Sequence, residues 1–436
     1  MAVQRAVVRT VLWANVIALA ALQGAIACAW VTYRLYLPEL LASVGLAGWG
    51  PSVLLLETGL AVALEPLAGW WSDRDWRRLE RRFPLVAIAV AVAAVLLMGL
   101  PLLATVGPGV AILLVAVLLG WAVAMAAFRS PAIALLRNYA LASQLPQAMG
   151  LLTFALALVG AIAGPLQGWL ASLGAAVALG GSSALLVAAA GLMAIARPAN
   201  TLAIEATSTD NAKPADSPDP PPDLPASVGD GWDEPLQPSG PDLSPPRSRL
   251  PHLTIVVLGM AVAMALRLWF ATLGAAGDRW FPDLDGALIP FGAGIAVAFL
   301  AVPAGAVAAL WGLGRTLMRA AIALAMLWPF FAILASPYGG IVLLILAIVG
   351  WSTLFNGAIP LLLGAVPLGR EGFAIGLYFG GFAATNLLLG IPAIAANVLG
   401  SDANLGRWGQ VTFIAIALLA RDLGQTAAPQ TPRPLP

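Results

Sequence analysis

Long apolar runs dominate the chain, with neither the alternation of a half-buried strand nor the one-sided stripe of a soluble helix. Crossing a hydrocarbon layer of about 30 Å takes about 20 helical residues. Runs of that length fall at about 11–35, 50–71, 84–106, 109–136, 148–172 and 175–196, each bounded by Gly/Pro or charge clusters. Six more follow at about 252–275, 286–311, 316–336, 340–367, 372–399 and 408–421, the last of marginal length. The pattern predicts an all-α membrane protein with about twelve transmembrane helices arranged as six plus six.

The halves are separated by residues 198–250, a stretch rich in Pro, Asp and Ser that lacks the apolar surface to fold alone. The domain reading is therefore an N-terminal six-helix bundle over 1–197, a disordered acidic linker over 198–250, a C-terminal bundle over 251–423 and a disordered tail over 424–436. Placing the N-terminus in the cytoplasm puts most of the arginines there, including Arg5, Arg9, Arg74, Arg77, Arg78, Arg137, Arg315, Arg319 and Arg370. Only Arg279 and Arg407 fall in outside loops, so the positive-inside rule predicts two cytoplasmic termini. The expected location is a bacterial inner membrane. The first apolar run has full span length and no small-residue cleavage site after it, so it reads as a retained helix.

Composition then removes whole classes of function. At 436 residues with 60% apolar and 10% charged residues, the chain is far from soluble norms, and a net charge of +1 offers no field for nucleic acid. One cysteine, Cys28, and one histidine, His252, exclude an internal disulfide and any multi-cysteine or His-rich metal centre. No phosphate-binding loop, H-E-x-x-H zinc site or nucleophile elbow occurs. No cofactor is expected, and the chain does not read as an enzyme; uphill transport by such a chain would draw on an ion or solute gradient.

The halves echo one another. Pro66-Leu-Ala-Gly69 recurs as Pro303-Ala-Gly305, and the segment from Phe128 to Pro165 resembles that from Phe355 to Pro392. Recurrence in the same sense implies parallel halves related by a pseudo-two-fold axis along the membrane normal.

The second span ends in Gly69-Trp-Trp-Ser-Asp73-Arg74-Asp75-Trp76-Arg77-Arg78. Here the chain resembles the major facilitator superfamily, whose signature between its second and third helices is G-x-x-x-D-R-x-G-R-R. Gly69, Asp73, Arg74, Arg77 and Arg78 match, while Trp76 replaces a glycine. The resemblance implies that Asp73 latches the cytoplasmic side of the N-half to the eleventh helix, near Arg370. The C-half counterpart is degenerate, with Ala309 and Leu310 where Asp and Arg would stand. In the fifth span, Gly160-x-x-x-Gly164-Pro165-x-x-Gly168 looks like the antiporter-type signature of the same superfamily. Glycines four apart make a smooth face for helix packing, and the proline bends the helix. Arg129-Ser-Pro131-Ala-Ile-Ala-Leu-Leu136 is similar instead to the fourth-to-fifth-helix region of glycoside and sucrose cation symporters, so the branch-level likenesses point to export and uptake alike.

Charged groups inside spans cost about 2.5–3.5 kcal/mol each on insertion scales and call for a role. Glu57 and Glu65 lie eight residues apart on the second span, about 80° around the helix, so both can face one cavity. Arg34 and Arg267 are the natural counter-charges. Two readings fit Glu57: a carboxylate that titrates during transport, or a permanent ion pair. Gln23, Asn356 and Asn386 can bond a solute or bridge helices. Arg129 reads as a cap, a headgroup anchor or an anion site, and Trp121 and Trp269 as core residues or stacking surfaces.

The resulting expectation is a monomeric secondary transporter in the lipid bilayer that carries a small-molecule substrate, with a proton or other cation, by alternating access. The alternative is a non-transporting relative that assists pigment or membrane-complex assembly. A polar central cavity discriminates the two.

Overall fold

The computed structural model describes residues 11–74, 79–141, 143–196, 252–367 and 369–427. The N-terminal half contributes α1 (Trp13–Ser43), α2 (Gly50–Asp73), α3 (Leu79–Ala104), α4 (Ala111–Ala134), α5 (Leu136–Tyr139), α6 (Leu145–Ala161), α7 (Ala163–Leu173) and α8 (Ala175–Ile195). The C-terminal half contributes α9 (His252–Trp280), α10 (Leu288–Trp311), α11 (Leu313–Leu327), α12 (Phe330–Ile333), α13 (Pro337–Ala365), α14 (Glu371–Leu389), α15 (Pro392–Leu399) and α16 (Asp402–Ala427). Local chemistry sets the ends. Proline stands in the first turn of α2, α6, α13 and α15, where its missing N–H has no intrahelical partner to lose. Glycines with φ near +80°, such as Gly174 and Gly312, let the chain reverse between helices.

Among the described residues, ten helices are long and apolar enough to cross a membrane, or eleven if α6 and α7 are one broken span. The twelfth, α16, has the length, at 26 residues, but carries Asp402, Arg407, Arg421 and Asp422 along it. It runs to Ala427, so the first residues of the predicted tail are helical. The acidic linker lies outside the described residues, as do Arg77 and Arg78. Large apolar side chains such as Ile112, Ile195, Leu102 and Leu310 stand exposed around the bundle, a surface suited to acyl chains and not to water.

The packing pairs show the internal symmetry directly. In the N-half, α1 packs on α6 and α8, α3 on α4 and α8, and α2 on α4. In the C-half the corresponding pairs are α9 on α14 and α16, α11 on α13 and α16, and α10 on α13. Exchanging the halves also exchanges the two seams between them, α2 with α14 and α6 with α10. Two six-helix bundles related by a pseudo-two-fold axis account for every one of these pairs.

The seams run backbone against backbone. A Cβ on Gly69 would overlap the Gly372 carbonyl, and one on Gly376 would meet Glu65 and Pro66. Across the pseudo-axis, Gly305 abuts Pro146 and Gly150 abuts Ala301 and Val302. The echoed Gly and Pro positions are thus the places where the halves touch most closely.

The Gly160, Gly164, Gly168 face requires a correction. All three glycines have open space where a Cβ would stand, so they pack nothing in this structure. The motif instead marks a 63° bend between α6 and α7. Pro165 has no N–H to offer the carbonyl of Ala161 four residues back, and the helix breaks at Ile162.

These contrasts give a paired expectation. Gly259→Ala drives a methyl into the Tyr378 carbonyl between α9 and α14, and overpacking of this kind costs about 1–3 kcal/mol. Gly168→Ala meets nothing and gains up to about 1 kcal/mol of helix propensity. Thermal unfolding of the detergent-purified protein should show Tm falling by several degrees in the first and unchanged or raised in the second.

Candidate functional site

A cavity of about 490 Å³ lies between the halves, walled by α1, α2, α4, α9 and α14. Its upper wall carries Trp30, Arg34, Pro51 and Gly390, at the face holding the α1–α2 loop. Glu57, Thr58, Arg267, Phe382 and Asn386 follow below, and Glu65 and Arg129 form the floor. The cavity thus reaches from one membrane face past the middle of the bundle and ends short of the other.

Glu57 is buried on α2 and accepts a hydrogen bond from the Tyr33 hydroxyl on α1. Tyr33 is held by stacking on Trp121, ring centroids 4.2 Å apart, and edge-on by Trp30. The expected counter-charges line the same cavity without pairing with Glu57. Arg34 lies 5.7 Å from the Trp30 ring centre, and Arg267 donates Nε to Asn386 Oδ1 at 3.0 Å. Asn386 is oriented by its own amide, which donates to the Phe382 carbonyl at 3.0 Å.

The floor is an ion pair. Arg129 on α4 donates Nε to Glu65 Oε1 at 2.7 Å, its Nη2 also contacts that oxygen, and Ser130 Oγ bonds Glu65 Oε2 at 2.5 Å. The guanidinium lies 4.5 Å from the Phe379 ring centre on α14, so one residue ties together α2, α4 and the opposite half. Arg129 is therefore neither a headgroup anchor nor a cap, and Glu65 forms a structural pair with this neighbouring helix.

Below the floor the halves are clamped through helix termini. Asp73, at the end of α2, accepts from the backbone amides of Gly372 at 3.0 Å and Phe373 at 2.7 Å, in the first turn of α14. A helix N-terminus offers unpaired N–H groups and about half a positive charge, so a carboxylate suits it. Arg137, on α5, does the reverse at the end of α13, donating Nη1 to the carbonyls of Leu363 at 2.6 Å and Val366 at 2.8 Å, with Glu371 3.7 Å away. Arg370 caps α14 through its backbone and has an exposed side chain, as does Arg74. Sequence reasoning singled out Asp73 but assigned no partner to Arg137, because the carbonyls it bonds lie 226 and 229 residues away.

Two candidates fall outside the cavity wall. Asn356 on α13 is fully buried and donates to the Ala301 carbonyl on α10 at 2.5 Å, bridging helices of the C-half. Gln23 is buried on α1, away from the lining. Trp269 stacks on Trp351 inside the C-half core.

Two matching bundles, a cavity with charged groups between them and a clamp beneath it make up the architecture of a membrane transporter. The chain belongs to the Major Facilitator Superfamily, whose family model matches residues 14–390. No curated protein is significantly similar to it in sequence. Among solved structures, the human organic anion transporter TETRAN is 14% identical with a TM-score of 0.61, the match covering 96% of this chain and 100% of that one. The transporter FucP in its outward conformation is 12% identical, TM-score 0.61, over 94% and 98%. A bacterial homologue of the iron transporter ferroportin in an outward-facing state is 14% identical, TM-score 0.60, over 95% and 99%.

Asp73→Asn keeps the shape but removes the charge from the α14 terminus, a loss of about 1 kcal/mol or roughly fivefold in the balance between conformers. Thiol labelling of a cysteine placed at Phe382, from the face holding Asp73, should speed up by about that factor. Unchanged labelling would mean that the carboxylate does not hold this face shut.

Proposed function

We propose that this protein is a secondary active transporter of a small organic solute, coupled to protons through Glu57 and working by alternating access. The observation that carries the reading is the cavity itself: lined by charged groups, reaching past mid-membrane, open at one face and clamped at the other. An assembly factor would be served by an apolar, sealed centre.

With both termini cytoplasmic, the open face is the outside, and Arg74, Arg137, Arg315, Arg319 and Arg370 gather on the clamped cytoplasmic side. Closure of the outer mouth would demand release of the Asp73 and Arg137 contacts, each a bond between a side chain and a helix end that water can replace. Glu57 suits a proton carrier because its partner is the neutral Tyr33 hydroxyl, not an arginine that would fix its charge. It can accept a proton while the cavity is hydrated and release it when the other side opens. Direction follows from the gradients imposed, so uptake and export use the same machinery. Gly69, Asp73, Arg137 and Arg370 act as the gate, and Arg34, Arg267 and Asn386 face the solute.

The test is a proteoliposome screen over sugars, drugs and organic anions with an imposed pH gradient, while internal pH is recorded. Glu57→Gln should lose accumulation driven by the gradient yet retain solute exchange between two equally loaded sides. A variant that still accumulates solute and moves protons at the wild-type ratio would remove Glu57 as the carrier.

A further inference from the structure

The charges around the cavity do not cancel. Three arginines and two glutamates line it. Arg129 and Glu65 neutralise each other at the floor. Glu57 accepts from the neutral Tyr33 hydroxyl and lies within electrostatic reach of Arg34, but among the described residues no acid stands within ion-pair distance of Arg34 or Arg267. Arg34 has the Trp30 ring beside it, and Arg267 spends its Nε on the uncharged Asn386 Oδ1. Both side chains are exposed to one open cavity, so each guanidinium stands ready for an entering acid group.

We propose that the transported solute is an organic anion whose acid group is held between Arg34 and Arg267, with an apolar body against Leu54, Leu55 and Phe382. The inference rests on the transporter reading and adds the substrate class to it. A planar guanidinium fork matches the paired oxygens of a carboxylate, sulfonate or phosphate, and a charge-assisted bond to such a group is about twice as strong as one to a neutral hydroxyl. A cation would meet two arginines against the single Glu57 carboxylate, and a neutral sugar would leave the surplus positive charge uncompensated. The wall beyond them is apolar, since Pro51, Leu54, Leu55 and Phe382 lie on the helices that flank the arginines. Asn386 is the positioning residue. Its amide is committed to the Phe382 carbonyl, so its oxygen is turned toward Arg267 and fixes that side chain without neutralising it. The neutrality of Asn386 is what keeps the site available to an anion.

Tryptophan fluorescence of the full-length protein in nanodiscs reports binding, because Trp30 lines the cavity. The probes are acetate, benzoate, 2-naphthoate, 2-naphthalenesulfonate and 2-naphthyl phosphate, each acid matched by its neutral amide or alcohol. At least one acid should bind saturably, ten times or more tightly than its neutral partner. Arg34→Gln, Arg267→Gln and the isosteric Asn386→Asp should each weaken the acid at least tenfold, while Tm stays within a few degrees of wild type. Equal binding of acid and neutral partner, no acid bound at all, or acid binding unaffected by the three variants would overturn the proposal. Proteoliposomes then separate it from the reading beneath it. An acid bound in this arginine-dependent way but never accumulated would sustain the anion site and sink the transport function. A neutral or cationic solute accumulated while acids are ignored would do the opposite.

Discussion

Close approach between the two halves on one side of the membrane is the constraint on which the rest depends. Gly69 against Gly372 and Gly376 against Glu65 bring α2 and α14 together backbone to backbone, and Gly305 with Gly150 does the same for α10 and α6. In lipid there is no hydrophobic drive between helices, so such contact relies on dispersion and on polar bonds that water does not contest. Toward the α1–α2 loop the cavity opens beside α2 and α14, while α6 and α10 stay close as far as Ala161 and Gly294. The polar bonds across the seam use helix ends, with one side-chain ion pair beside them: Asp73 meets α14 at its positive terminus, and Arg137 meets α13 at its negative one with Glu371 3.7 Å away. Each contact costs little to break, as a reversible gate requires.

The cavity carries its charges in two grades. The Glu65–Arg129 pair is fully met, with Ser130 and the Phe379 ring completing its surroundings, so it behaves as a strut. Glu57, Arg34 and Arg267 are met only by neutral groups: a phenol, an indole ring and an amide. Glu57 is buried while Arg34 and Arg267 are open to the cavity, and charges without an ion-pair partner stay responsive, whereas Glu65 with its countercharge is fixed. The strut sits at the floor and the responsive groups sit toward the open face, which is the order needed for a solute to enter, be bound and be enclosed.

Much of this was legible in the sequence, for identifiable reasons. Spans follow from the length of apolar runs, and each predicted run became a helix or a broken pair of helices. The echo of Pro66-Leu-Ala-Gly69 in Pro303-Ala-Gly305 marked the seams because a glycine needed for backbone contact cannot be replaced by anything larger. The membership of Glu57, Arg34, Arg267 and Asn386 in one cavity followed from the expense of polar groups in lipid. What escaped was pairing. Glu57 met a tyrosine that is unremarkable in sequence, and Arg137 met carbonyls of the opposite half. The Gly160–Pro165 segment kept its expected bend and lost its expected packing face, because packing and bending use the same two residue types. Only the fold says whether a neighbour is there.

The central claim, that a single cavity between two symmetric bundles is exposed to each face in turn, is open to one direct measurement. Spin labels at Ser43 on α1 and Asp278 on α9 span the open face, and labels at Asn138 and Pro367 span the clamped one. Distances for both pairs, recorded by pulsed electron resonance at two pH values and with transported solute, should change in opposite senses, the first shortening as the second lengthens. Two distances that stay fixed under every condition, or that lengthen together, would contradict it.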